Sequence, residues 1–316
     1  MSRKLLLSRR SITSKGRTKG FLGDYNKKEV LLAFIFLLPS FLIIFGLILY
    51  PVLYSLYMSF HSFSLRRPGE IAFIGLKNYI DMFHSRDFQV IFLRTCTYTV
   101  TSVTASVLTG LSMAILLNED VKGKAFFRSI ILVPWAIPAI VVAFMWKWIL
   151  HPDFGAINGI LFQLGLISKR VSFLGDPNTA FIILLLATIY MHTPVTYLII
   201  FPFVRAIPLD LYDASKIDGC NRWQRLRHLV FPLVKPGIFI AAVMEAISAF
   251  QIFTLVYGLT GGGPAGTTTL IAYYTYLQMF GNLEVGMGSA AAILMFAVIM
   301  SMVFILIKFS PERVQY

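Results

Sequence analysis

Only two of the 316 residues are cysteine, Cys96 and Cys220, and only 15 are acidic. Cys96 lies inside an apolar run and Cys220 in a basic loop, so neither a disulfide framework nor a thiolate metal site is expected. A Gly-x-x-x-x-Gly-Lys-Ser/Thr run is also missing: Gly123-Lys124 is followed by Ala125 and has no glycine five residues earlier. His-Glu-x-x-His, paired Cys-x-x-Cys and a nucleophile elbow are absent, which removes the usual constellations for hydrolytic or redox catalysis. The glycine-rich loop Gly261-Gly262-Gly263-Pro264-Ala265-Gly266 has no lysine, and Gly286-x-Gly288-x-x-Ala291 has no preceding strand. Both read as turns or close helix packing rather than nucleotide cradles.

Apolar sequence, by contrast, is abundant. Mean hydropathy is +0.74, with 57% hydrophobic and 14% charged residues, which belongs to the integral-membrane class. Runs at about Val30 to Tyr57, Ile91 to Asn118, Ile130 to Leu150, Thr179 to Phe203, Gly237 to Tyr257 and Met287 to Lys308 are long enough to cross about 30 Å of hydrocarbon at about 1.5 Å per residue. Lipid offers the backbone no partners, and the short alternating segments of a closed barrel are not present, so the expected fold is all-α with six transmembrane helices. Pro134, Pro138, Pro194 and Pro202 mark kinks, either to open a cavity or as tolerated packing. Hydroxyl and small residues crowd the second run from Thr95 to Ser112, where they allow close helix approach.

The formal net charge of +13 is spread over short loops and the N-terminus, so it speaks for membrane orientation and not for nucleic acid. Cations concentrate before Lys28, at Lys122, Lys124 and Arg128, and from Arg205 to Lys235, while Gly258 to Gly286 has no Lys or Arg. Both termini and the second and fourth loops are therefore expected in the cytosol. Ser8-Arg9-Arg10-Ser11-Ile12 echoes a twin-arginine export signal, but no cleavable apolar core follows promptly, and the segment reads as a solvated tail. The expected layout is a basic tail at 1–28, a first transmembrane helix at 29–60, an external loop at 61–90 with a short surface helix after Gly75, a transmembrane core at 91–310 and a cytoplasmic tail at 311–316.

Two groups of residues stand apart. Between the fourth and fifth runs, Pro208 starts a helix, Asp210 to Ile217 continue it, Gly219 supplies a left-handed stop, and Asn221 caps a second piece, Arg222 to Leu229, ending before Pro232. This basic helix-turn-helix reads as a docking loop over 207–236, or as an interfacial helix lying on anionic lipid. Inside the runs, polar groups are costly and must face protein or water. Glu245, Ser248, Ala249 and Ile252 share one helical face with Gln251 beside it, and Tyr190, His192, Thr193, Thr196 and Tyr197 surround Pro194. Tyr190, Tyr197, Phe250 and Gln251 offer stacking faces and hydrogen bonds suited to a hydroxyl-rich solute. The competing account pairs Glu245 with a basic residue of a partner chain and His192 with a backbone carbonyl beside the proline.

The docking loop resembles the cytoplasmic signature of inner-membrane permease subunits of bacterial ATP-binding-cassette importers. Its Glu-Ala-Ala, three-residue step to Gly and apolar-Pro ending match Asp213-Ala214-Ser215, Asp218-Gly219 and Phe231-Pro232, after Ile207-Pro208 and Leu211-Tyr212. Phe73 to Tyr79, Pro134 to Pro138, Gly155 to Asn158, Leu259 to Pro264 and Gly286 to Ala291 are similar to the sugar-carrying, maltose-type subgroup. That subgroup often has arginine where Glu245 stands and aspartate where Thr254 stands.

The resemblance implies a non-catalytic subunit in a bacterial inner membrane. It would work with a second permease, two cytosolic ATPases that hold ATP and Mg, and an extracytoplasmic solute-binding protein; no cofactor is expected on this chain. Asp213, Ala214, Ser215, Asp218, Gly219, Arg222 and Pro232 would couple to the ATPases. Tyr190, His192, Thr193, Thr196, Tyr197, Glu245, Ser248, Ala249, Gln251 and Ile252 would line the solute pathway. A mono- or oligosaccharide is the expected solute, with glycerol phosphate or another polar solute as the alternative and a stand-alone secondary carrier as a further one.

Overall fold

The computed structural model describes residues 27–119 and 122–308. Apart from Lys27 and Lys28, the basic tail with its arginine pair falls outside these, as does the tail at 311–316. Contacts divide the chain into two units, 1–54 and 55–316. The described part of the first unit comprises α1 (Lys27–Ile43), a π turn over Ile44–Leu49 and the beginning of α2 (Tyr50–Ser59). Its apolar side chains from Val30 onward are exposed, as suits a helix solvated by lipid.

The second unit opens with a two-residue hairpin pairing, β1 (His61–Ser62) with β2 (Ala72–Phe73), and α3 (Lys77–His84). This is the expected short helix after Gly75, whose φ of +58° only glycine adopts without strain. Ser85 caps α4 (Arg86–Leu116), its side chain accepting from Phe88 N–H. Next come α5 (Lys124–Ala136), α6 (Ala139–Ile149), α7 (Ala156–Gln163) and α8 (Pro177–Arg205), the last capped by Asp176 with Pro177 in its first turn. The chain continues through α9 (Leu209–Ile217), α10 (Arg222–Arg225), a π turn over Leu226–Val230 and α11 (Phe231–Phe250), then α12 (Ile271–Tyr276) and α13 (Val285–Lys308).

Among the described residues five helices are long and apolar enough to cross a membrane, and six crossings result if α5 and α6 form one broken span. The third helix expected over Ile130 to Leu150, kinked at its prolines, is broken between α5 and α6, which meet at a 98° bend. Proline disfavours a helical residue before it, so Ile137 turns extended ahead of Pro138, which heads α6. The fifth span is also displaced. Its helix ends at Phe250 instead of near Tyr257, and continuous helical chain reaches back to Arg222, so the second piece of the docking loop does not stop before Pro232.

The segment 251–284 is a folded element, with Leu255, Leu259, Thr268, Leu270 and Ile271 buried in the core. Helices α4, α8 and α11 pack on one another, with α5 and α6 against α8 and α12 against α13. One apolar cluster joins Tyr98, Leu184, Ala249 and Leu255, while another joins Leu111, Tyr197, Ile200 and Val234 and is flanked by Tyr212 and Leu226. The polar site lies between these helices.

Candidate functional site

Tyr98, Ser102, Ser106 and Thr109 follow one another at helical spacing on α4 and face α8 and α11. Tyr98 Oη hydrogen-bonds Thr188 Oγ1; Thr196 Oγ1 donates to Ser106 O at 2.9 Å; the Thr109 and Thr193 hydroxyls meet at 2.8 Å. The parallel order, 98 with 188 and 106 with 196, fits two helices that run in the same direction. Gly110 permits this closeness. A Cβ there would lie 2.9 Å from both Thr196 Cβ and Tyr197 N.

At the centre of this seam Ser102 Oγ donates to Glu245 Oε1 at 3.0 Å, and His192 Nδ1 lies 2.8 Å from Glu245 Oε2. Glu245 is 4% exposed and His192 15%. A carboxylate buried to this extent needs both oxygens hydrogen-bonded, and here each has a partner from a different helix. Within the chain, His192 Nδ1 meets Glu245 and not the backbone carbonyl weighed for it from the sequence.

Trp135, Pro138, His192, Thr196, Met244, Glu245 and Ser248 border a cavity of about 460 Å³. His192 and Ser248 also border a smaller one of about 180 Å³ with Gln251, Ile252 and Thr254. The other residues expected on the solute pathway separate from these. Tyr190 and Thr193 line a mainly apolar cavity of about 560 Å³ with Trp146 and Pro194. Tyr197 and Ala249 are buried in the two apolar clusters. Ala249 packs in the cluster with Tyr98 and Leu184, while Tyr197 packs against Phe201. The sequence reading assigned the α4 hydroxyls to packing and thereby missed Ser102, although the spacing 98, 102, 106, 109 marks one face.

The second site is the turn between α9 and α10. Gly219 has φ +75° with no atom within 4 Å of an added Cβ, so only backbone torsion demands glycine there. Cys220 N–H reaches Ser215 O, closing α9, and Asn221 and Gln224 form a reciprocal capping box that opens α10. Asp213 pairs with Lys216 at 2.8 Å on the exposed face, an arrangement worth little by itself. Ala214, Asp218 and Arg222 are exposed too. Burial pushes the Tyr212 phenol above its ordinary pKa, with Arg225 partly opposing. Ile217 and Trp223 stand 87% and 68% exposed. The inner side of the turn is thus anchored while its outer side presents apolar groups. Pro232 lies in the first turn of α11.

Residues 106–316 match the model of the binding-protein-dependent transport system inner membrane component family. The chain belongs to that family. This permease is 34% identical over 286 residues to the trehalose/maltose transport system permease protein MalF of Thermococcus litoralis, covering 90% of this chain and 96% of that one. It is 33% identical to the sulfoquinovosyl glycerol transport system permease protein SmoG of Agrobacterium fabrum, covering 85% and 87%. A chain in the crystal structure of a bacterial ABC transporter that imports the acidic polysaccharide alginate has the same fold, with TM-score 0.78 at 22% identity over 90% of this chain and 96% of that one. The match runs across α4 to α13, so the permease is a multi-pass inner-membrane protein whose bundle follows the family's architecture.

Proposed function

We propose that this permease forms, with a second permease, the membrane pathway of an ATP-binding-cassette importer for an uncharged sugar. A solute-binding protein delivers the sugar from outside, and two cytosolic ATPases, which hold the ATP and Mg, drive its passage. The chain itself binds no cofactor and performs no catalysis. The observation that carries the solute assignment is the composition of the 460 Å³ cavity. Its lining has hydroxyls, an imidazole and an indole but no lysine or arginine, and its one carboxylate is already paired. Glycerol phosphate would need a cation that this wall lacks. The relative described as carrying trehalose or maltose supports the same reading, and the sulfoquinovosyl glycerol relative, whose solute bears a sulfonate, supports a sugar-containing solute but not its neutrality.

The α9 to α10 elbow is the coupling element, with Asp213, Ala214, Ser215, Asp218, Gly219 and Arg222 at or near its exposed surface and Pro232 at the root of α11. Closure of the ATPases moves this elbow as a rigid lever and rocks α8 and α11 between outward and inward openings. The test is to purify the complex in detergent, identify its companions, and measure ATP hydrolysis with binding protein plus maltose, trehalose or glycerol 3-phosphate. Stimulation by a neutral disaccharide is expected. Stimulation by glycerol 3-phosphate alone, or solute transport by the isolated chain in liposomes without ATP, would sink the proposal.

A further inference from the structure

We infer that His192, and not the carboxylate of Glu245, is the group of this cavity that meets the solute, while Glu245 and Ser102 are positioning residues that aim its ring. The inference rests on the sugar reading above and narrows it to one hydrogen bond. Both Glu245 oxygens are occupied within the chain, one by Ser102 and one by His192, and the carboxylate is almost wholly buried. With 4% of its side chain exposed, it offers the solute less surface than the imidazole, at 15%. The imidazole has the opposite geometry. Nδ1 is engaged by Glu245, the ring borders both the 460 Å³ and the 180 Å³ cavities, and no hydrogen bond to Nε2 occurs among the described residues. Since the two ring nitrogens point in different directions, fixing Nδ1 on α11 leaves Nε2 for whatever occupies the space.

The chemistry of that free nitrogen selects the ligand class. Neutral imidazole with Nδ1–H on Glu245 presents Nε2 as an acceptor; the protonated ring presents it as a donor. A hydroxyl serves either form because it both donates and accepts. A carboxylate or phosphate serves only the second, with no lysine or arginine on the wall to balance it. A ligand cation would want the Glu245 oxygens, which are almost wholly buried against α4 and α8. A polyhydroxyl compound without net charge is the solute that fits, and the Trp135 indole on the same wall offers a face for its C–H surface.

The experiment uses the full importer in liposomes, with binding protein and saturating trehalose, maltose, or the monodeoxy analogues of each, so that delivery is equalised and the rate per turnover reports the membrane step. In wild type, one monodeoxy analogue of the transported sugar is expected to move roughly three to ten times more slowly than its parent, the range of one hydrogen bond between neutral groups. In His192→Phe that ratio falls to about one by slowing the parent sugar, while ratios at other positions stay as they were. Glu245→Gln keeps an oxygen for Nδ1–H and should retain the preference; Glu245→Leu should lose it. A merely structural role for His192 slows parent and analogues alike and leaves every ratio unchanged, which overturns the inference alone. A wild-type complex that moves glycerol 3-phosphate but no neutral sugar overturns the sugar reading and this inference with it. Should His192→Phe fail to assemble, Ser102→Ala serves, with a preference at least halved expected and an undiminished one contradicting the assignment.

Discussion

A hydroxyl on a membrane helix has a ready partner in the carbonyl four residues back, and Thr95, Thr97, Thr101, Thr104, Thr109 and Ser112 on α4 all donate there. Ser102 instead donates to Glu245. Nothing in its residue type separates it from its neighbours, which is why the sequence pointed to Glu245 and His192, costly inside a span, but not to the hydroxyl on the carboxylate's other oxygen. Their pairing was equally hidden, because 53 residues separate them and a single sequence carries no trace of contact. Glycine behaves in the same context-bound way. At Gly110 a Cβ meets the Thr196 side chain and Tyr197 backbone of the facing helix, whereas at Gly159, on the exposed side of α7, it meets nothing within 4 Å. Gly110→Ala is therefore expected to cost about 1–3 kcal/mol through overpacking, and Gly159→Ala to gain about 0.5–1 kcal/mol through helix propensity. Thermal unfolding in detergent should show the first midpoint lowered and the second raised; equal shifts would mean that the α4 and α8 contact is looser than described.

At the scale of elements, proline placement explains most of what the sequence misjudged. Two prolines follow π turns in the same way. Tyr50 N–H reaches back to Phe45 O just before Pro51, and Phe231 N–H reaches back to Leu226 O just before Pro232. The wide turn displaces the carbonyl that a proline ring would strike and places the missing donor where none is required. Helix thus continues through Pro232, although a hydropathy reading naturally stops there. At Pro138 the preceding Ile137 is extended instead, and the span breaks there. The start and stop of the elbow were more legible, because Gly219 and Asn221 act through local backbone geometry that their own side chains dictate. Since Gly219 is constrained by φ alone and has free space around it, Gly219→Asn, a residue that tolerates the left-handed region, should remain coupled. Gly219→Val should carry a strain of about 1–2 kcal/mol and let ATP hydrolysis run without uptake. Measuring hydrolysis and uptake side by side on both variants decides this, and full coupling in the valine variant would remove the elbow from the transmission path. Replacing the cap, Asn221→Ala, should weaken coupling less, since a cap is worth about 1 kcal/mol and its loss frays only the first turn of α10.

For the whole molecule, the parallel run of α4 and α8 requires the bent pair α5 and α6 to traverse the bilayer and not to enter and leave by the same face, and charge distribution agrees. Lys122, Lys124 and Arg128 lie just before or within the start of α5; Lys216, Arg222, Arg225, Arg227 and Lys235 cluster between the end of α8 and the start of α11. If the pair crosses, two spans separate these clusters and both lie on one side. If it returns, α8 alone separates them, and the two most basic loops of the described chain fall on opposite faces. Cationic loops stay in the cytosol, so the crossing arrangement is the one that charge supports, with the elbow inside and α7 outside. Cysteine labelling distinguishes the two cases. In a background with Cys96 and Cys220 changed to serine, one cysteine is introduced at a time at exposed positions: Arg67→Cys in the hairpin loop, Leu166→Cys after α7 and Ile217→Cys at the end of α9. A membrane-impermeant maleimide added to cells whose inner membrane is intact but reachable from outside should label the first two, and the third only after permeabilisation. A re-entrant pair would instead place Leu166 with the cytosolic cluster and Ile217 on the same face as Arg67. Ile217 labelled in intact cells would also remove the elbow from the reach of any cytosolic ATPase, because its contacts with the α4, α8 and α11 core bind it to a fixed end of the bundle.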